Sequence, residues 1–260
     1  MKRILFIALL FLCLYSTAQT RLYFSSTVSA PITNVAYATG GGTYDVTEAS
    51  RWKLQDTKGS SAIGTGTQIG PFAASAAVDR QYVSTRMSSG IIFTSGSTTV
   101  KGQLMVREFA TTDNVDQWHI NVRIVSDDGL TTRATFSGVT NSANEFINNA
   151  THRNQSVTAQ ALDASYTTVS GDRLVIDFAY RTSVGGTTPE AAGKWGENAT
   201  DLPENSTQTT DGAGWVEFSN SITFIGEAAA TPVPHNRLLM GAGNIAWARD
   251  AFNKFLKSIP

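Results

Sequence analysis

Gly171-Asp172-Arg173-Leu174-Val175-Ile176-Asp177-Phe178-Ala179-Tyr180-Arg181 is a turn signal followed by the strongest strand pattern in the chain. Leu174, Ile176, Phe178 and Tyr180 fall on one face and Val175, Asp177, Ala179 and Arg181 on the other, because side chains on a strand alternate with a period of two. The first face is fit for a core. The second carries a carboxylate and a guanidinium, and a solvated outer face of an antiparallel sheet produces the same text as a polar recognition surface. The stretch therefore speaks to fold class before it speaks to function.

The same alternation recurs on both sides of it. From Thr99 to Phe109, Val100, Leu104 and Val106 take one parity and Lys101, Gln103, Met105 and Arg107 the other. From Gln117 to Val125, Trp118, Ile120, Val122 and Ile124 oppose Gln117, His119, Asn121 and Arg123. Ser126-Asp127-Asp128-Gly129 follows, with a glycine available for positive φ, and Thr131 to Phe136 returns as the second arm of a β-hairpin. Short strands are also expected over 21–24, 34–37, 51–54, 79–86, 91–94, 215–218 and 221–225. Asp56 to Pro71 reads as a loop or irregular edge, and Thr182 to Gly214 as a long polar connection. One short helix is expected around Glu145 and Phe146. Many short strands with no βαβ alternation predict an all-β fold, an antiparallel two-sheet β-sandwich, jelly-roll-like, with a short C-terminal α-helix.

Lys2 and Arg3 precede an apolar run from Ile4 to Tyr15, and Ser16-Thr17-Ala18 supplies small residues for cleavage, so residues 1–18 read as a secretory signal peptide. The expected organisation is then a β-sandwich domain over 19–226, an Ala/Pro linker over 227–243 and an amphipathic helix over 244–260. The chain would be exported to the periplasm, the cell surface or beyond. Cys13, the one cysteine, lies in the signal, which leaves the mature chain without disulfides. The net charge is −1 and the charged fraction 16%. There is no basic excess to drive nucleic-acid binding. After cleavage no stable membrane span is expected, and the basic apolar stripe of the terminal helix suits docking, self-association or assembly better than a membrane surface.

The polar parity of the central strands gives the sharpest candidate ligand site. If those strands share a sheet, Gln103, Arg107, His119, Asn121, Arg123, Asp177 and Arg181 would line one face with amide and guanidinium groups, a chemistry suited to sugar hydroxyls or carboxylates. Trp195, flanked by glycines in the polar connection, is the candidate to stack on a ligand there. Glu108, Asp177 and Glu217 could be offered as a glycosidase pair, but none sits in a local motif. The three histidines are scattered, no Gly-x-Ser-x-Gly elbow occurs, and no His-x-His pair marks a transition metal. No catalytic residue and no cofactor are assigned. Asp201, Glu204 and Asp211 are weak calcium candidates, since hard cations take loop oxygens.

Arg80-Gln81-Tyr82-Val83-Ser84, Val100-Lys101-Gly102-Gln103, Ser126-Asp127-Asp128-Gly129, Gly171-Asp172-Arg173-Leu174-Val175-Ile176, Asp201-Leu202-Pro203-Glu204 and Trp215-Val216-Glu217-Phe218-Ser219 form an ordered series. In this the chain, from Arg21 to Ile225, resembles phage-encoded and environmental viral β-sandwich proteins, which are usually taken to be virion-associated. The resemblance implies a non-enzymatic structural or surface-binding protein, a capsid or tail decoration that touches a glycan or cell surface. It brings no catalytic residues with it. The export signal favours as an alternative a secreted bacterial carbohydrate-binding or adhesin domain. A glycan-cleaving enzyme is the third reading and requires two carboxylates facing one cleft.

Overall fold

The computed structural model describes residues 19–37, 44–47, 49–71, 76–110, 112–140, 146, 151–182, 189–205 and 207–227. The chain divides into two compact units, Met1–Glu227 and Ala228–Pro260, and every described residue belongs to the first. The expected signal peptide, the C-terminal helix and nearly all of the 141–150 segment lie outside the described residues.

Among the described residues, fourteen strands run in order: β1 (Thr20–Ser29), β2 (Ser50–Gln55), β3 (Gly64–Thr65), β4 (Ala76–Met87), β5 (Ile92–Phe93), β6 (Thr99–Glu108), β7 (Val115–Val125), β8 (Thr132–Thr140), β9 (Arg153–Ala161), β10 (Tyr166–Thr167), β11 (Arg173–Thr182), β12 (Ala191–Trp195), β13 (Trp215–Phe218) and β14 (Phe224–Gly226). No helix occurs among the described residues, so the fold is all-β, as the alternation predicts. Twelve strands join one hydrogen-bonded sheet in the order β3-β12-β6-β13-β1-β2-β4-β11-β7-β8, with β9 on β6 and β14 on β4; β5 and β10 pair separately.

The large sheet changes layer at β2, which pairs antiparallel with β1 and parallel with β4. That parallel pair departs from the all-antiparallel expectation. Layers β4-β11-β7-β8 and β9-β6-β13-β1 then close face to face as a β-sandwich. Phe24 of β1 meets Tyr82 of β4 at 5.0 Å and Phe178 of β11 edge-on at 5.5 Å. A Cβ on Gly102 of β6 would stand 3.1 Å from the Trp118 ring of β7. The layers approach there because residue 102 has no side chain.

β11 lies between β4 and β7 along almost its whole length. Its inner residues Leu174, Ile176, Phe178 and Tyr180 are all in the main core, and each such burial is worth about 1.5–3 kcal/mol. The other face of β11 is also covered. Val175 packs with Val35, Val83 and Val125 under Ala30 and Ile32, while Ala179 packs with Tyr44, Ala76 and Val78. Chain from the 30–37 and 44–47 segments therefore closes over a surface that alternation alone presents as solvated.

The β7–β8 hairpin forms as its turn predicts, with Gly129 at φ 75°. Four strands go unread in the sequence, the two-residue β3 and β10 and the longer β9 and β12. β9 is polar but for Val157 and its alanines, and β12 is Ala-Ala-Gly-Lys-Trp inside the stretch expected to be a long loop.

Candidate functional site

β4 holds the irregularity that builds the site. Arg80 pairs with Phe178 and Val78 with the next residue, Ala179, leaving Asp79 as an extra residue between them. Such a bulge suspends alternation for one step and re-aims side chains. Val78 and Gln81 face outward, whereas both Asp79 and Arg80 turn into the sandwich beside Tyr82. Asp79 Oδ2 accepts a hydrogen bond of 2.7 Å from the Tyr180 hydroxyl. Arg80 Nε stands 3.6 Å from Asp79 Oδ1, an ion pair too long for a hydrogen bond. The guanidinium lies over the rings of Trp195 at 4.8 Å and Trp52 at 5.1 Å.

Around this pair, polar groups are buried without partners. Among the described residues, Arg80 Nε and Nη1, the Tyr82 hydroxyl, Trp195 Nε1 and Glu197 Oε2 make no hydrogen bond. Each such group costs about 1–3 kcal/mol when left unsatisfied in a protein interior. Glu197 is fully buried, and only its Oε1 is engaged, by Gln55 Nε2 at 3.2 Å and the Ser61 amide at 3.3 Å. The loop before β3 runs close over these groups. A Cβ on Gly66 would come within 2.7 Å of Trp195 Nε1 and 3.1 Å of Arg80 Nη2. A cavity of about 250 Å³ near the start of β4 is lined by Asp45, Thr47, Ile69, Gly70, Pro71, Ala77 and Val78, and none of the groups of this site lines it.

Burial pushes the Asp79 carboxyl up to about 6, although the Arg80 charge and the Tyr180 hydroxyl both pull it the other way. Burial also raises the Tyr82 and Tyr180 hydroxyls above the ordinary tyrosine value, so both stay protonated. The arrangement offers a carboxyl that gains and loses its proton near pH 6, beside unpaired donors suited to an anion.

The site expected from parity is divided by the fold. Asn121, Arg123 and Asp177 share the outer face of β7 and β11 with His119, and Arg181 sits at the end of that face. Gln103 and Arg107 are on β6, in the opposite layer. Asp177 is wholly buried and accepts from Arg123 Nη2 at 2.7 Å and Gln81 Nε2 at 2.9 Å. Arg123 Nη2 and Gln81 Nε2 also donate to the Ala36 carbonyl at 2.7 and 3.1 Å. The group thus ties the 30–37 segment onto the sheet. His119 bonds Asn121 at 3.1 Å and is held down to about 4 by burial and by Arg181.

Gln103 accepts from Asn154 at 2.6 Å, and Asn154 also donates to the carbonyls of Pro203 and Asn205, which closes the outer face of β6 under a loop. Arg107 lies over the Phe109 ring at 4.2 Å. Trp195, expected in an overhanging loop, ends β12 and is fully buried among Phe24, Tyr82 and Phe178.

The other sequence candidates separate as well. Asp177 and Glu217 stand in different layers, which ends that carboxylate pairing. Glu217 binds Arg21 and Lys101, and Glu108 accepts from the Val115 amide. Asp201 pairs with Arg21 and Lys58, Glu204 with Lys101, and Asp211 with Lys194. The three calcium candidates are thus divided among different cations, and no metal-binding cluster of acidic, His or Cys groups occurs among the described residues. Missed by sequence reasoning were Asp79, Arg80, Tyr82, Tyr180 and Glu197. The available signal was two adjacent charged residues, Asp79-Arg80, interrupting a strand pattern.

No family model matches the chain, and no curated protein matches it. Solved structures are matched weakly. An aminopeptidase from the marine sediment archaeon Thaumarchaeota archaeon is 9% identical with a TM-score of 0.43, over 79% of this chain and 37% of that one. An α-amino acid ester hydrolase is 7% identical with a TM-score of 0.41, over 77% and 36%. A structure of infectious bursal disease virus Gt strain is 12% identical with a TM-score of 0.29, over 76% and 52%.

The chain spans little more than a third of the hydrolases it matches, and no activity passes to it from any of these likenesses. They do correct one expectation. The reading as a non-enzymatic structural or surface-binding module, virion-associated or adhesin-like, is withdrawn, because hydrolases give the higher TM-scores and the viral structure a lower one.

Proposed function

We propose that the protein binds a small carboxylate-bearing molecule in the sandwich interior and performs acid–base chemistry on it, with Arg80 holding the anion and Asp79 exchanging the proton. One observation carries this reading. The bulge in β4 turns an aspartate and an arginine into the core together, and Arg80 Nε, though ion-paired with Asp79 at 3.6 Å, and Nη1 are buried without a hydrogen bond. Tyr82 adds a third donor beside them, and Tyr180 fixes the Asp79 carboxyl. We also read the two-layer arrangement as jelly-roll-like, a reading supported by pairings between strands far apart in the chain, β1 with β13 and β4 with β11.

The test combines binding and turnover. Isothermal titration with short carboxylates is expected to show binding that Arg80→Met abolishes. Hydrolysis of carboxylate-bearing esters and amides, followed by mass spectrometry, is expected to show a rate inflection near pH 6 that Asp79→Asn removes. Absence of both binding and turnover in the folded wild-type protein overturns the proposal.

A further inference from the structure

We infer that His152 is an acid-sensitive pin for the loop that covers β6: protonation of its ring releases residues 203–205 and 207–211 from the sheet and uncovers the outer face of β6. The inference concerns the outside of the sandwich and does not depend on the interior site.

Register sets the place of this histidine. Arg107 of β6 stands opposite Ala192 of β12, and Met105 of β6 opposite Asn154 of β9. Side chains opposite one another on paired strands share a face, so Met105, Arg107, Asn154 and Ala192 all point away from the core. His152 precedes Asn154 by two residues and takes the same face, in the row of Arg107. Alternation would expose this surface, yet Met105, Asn154 and Ala192 are buried and His152 is only 4% exposed. The loop supplies the cover. Its Pro203 and Asn205 carbonyls accept from Asn154 Nδ2 at 2.9 and 2.5 Å, and its Gln208 carbonyl accepts from the Asn154 amide at 2.9 Å. On the other side of β6, its Asp211 pairs with Lys194 of β12 at 2.5 Å.

Neither ring nitrogen of His152 has a hydrogen-bond partner. The charged groups around the ring are Lys194 of β12, Arg107 of β6 and Asp211 of the loop, while the adjacent Arg153 is exposed. Two of those three are cations, and Asp211 is already held by Lys194. A protonated ring would therefore carry two N–H donors with no acceptor beside two positive charges. Burial first, then Lys194 and Arg107, hold it down to about 4. Once the loop lifts, water reaches the ring, and an exposed imidazole takes a proton near 6.5. Release thus binds a proton, so falling pH favours it between about 6.5 and 4.

Hydrogen exchange followed by NMR on the folded wild-type chain, at pH 7.5 and pH 5 with intrinsic exchange rates divided out, tests this. The Asn154 amide bonds the loop, and the Thr207 and Gln208 amides bond Asn205 Oδ1 within it. Their protection is expected to fall about 10- to 30-fold at pH 5, the change required by a ring that titrates at about 4 when covered and near 6.5 when exposed. The Ile176 and Phe178 amides of β11 are expected to keep theirs. In His152→Leu, and in His152→Gln as a second replacement that cannot titrate, the loop amides are expected to be equally protected at both pH values.

Wild-type loop protection that is the same at both pH values overturns the inference, and so does a fall shared by β11, which marks global unfolding. A fall confined to the loop that persists in either folded variant overturns the role of the imidazole.

Discussion

Arg123 donates to Asp177 Oδ2 from both Nε, at 3.2 Å, and Nη2, at 2.7 Å, and Asp177 has no exposure at all. The pair sits on the face of β11 that alternation would give to solvent, closed over by the backbone of Val35 and Ala36. Removing one partner leaves a buried, uncompensated charge, which costs about 3–5 kcal/mol. Arg123→Met and Asp177→Ala should each lower stability by that amount in equilibrium urea unfolding. The double variant Arg123→Met/Asp177→Leu should recover part of the loss, since apolar replacement of a whole buried pair is tolerated better than its breakage.

The Asp79 carboxyl is held at about 6 in the fold against an unfolded value of 3.8. The folded state therefore binds the proton more tightly than the unfolded chain. Its contribution is fully present below about pH 4 and is lost as pH rises through about 6, by about 3 kcal/mol in all. In Asp79→Asn that fall should vanish from a series of urea midpoints taken between pH 4 and 7. An unchanged slope in the variant would contradict the assignment.

His119 and His152 behave in the opposite sense. Burial lowers both to about 4, helped by Arg181 at His119 and by Lys194 and Arg107 at His152. Unfolded histidine takes a proton near 6.5, so each site's contribution is present above that pH and is lost as pH falls from about 6.5 to about 4. The ring C–H resonances of both should stay in the neutral position at pH 5.5 in NMR spectra, while an unfolded control has already shifted.

Trp195 fills the centre of the sandwich and carries Arg80 on its face. Trp195→Ala should cost about 3–5 kcal/mol from lost burial and the cavity left behind, read as a drop in urea midpoint. Carboxylate binding should weaken in Trp195→Phe even where folding is retained, because the Arg80 guanidinium loses its larger ring.

Gly102→Ala should destabilise by about 1–3 kcal/mol, the cost of overpacking. Its new Cβ would stand 3.1 Å from both the Trp118 ring and the Trp215 carbonyl, and the latter is backbone that cannot swing away. Differential scanning calorimetry is a direct readout.

Strand text was legible wherever hydrophobic alternation was strong. β6, β7, β8, β11 and β13 and the Gly129 turn follow from it directly. β9 and β12 escaped because polar or small residues pair through the backbone, which leaves little side-chain signal. The parallel contact of β2 with β4 escaped because pairing partners far apart in sequence leave no local trace.

The sequence by itself determined an all-β chain, which face of its main alternating strands enters the core, and where the main hairpin turns, because these depend on local period and local φ. Only the tertiary structure decided what covers the second face of β11, and there the answer was the chain's own 30–37 segment rather than solvent. It also decided the site. A one-residue bulge between Val78 and Arg80 turns Asp79 and Arg80 to the same face, and a bulge is fixed by the register of a partner strand about a hundred residues away. Charges that a period of two would distribute over both faces are brought together inside, where low dielectric and missing partners give them their chemistry.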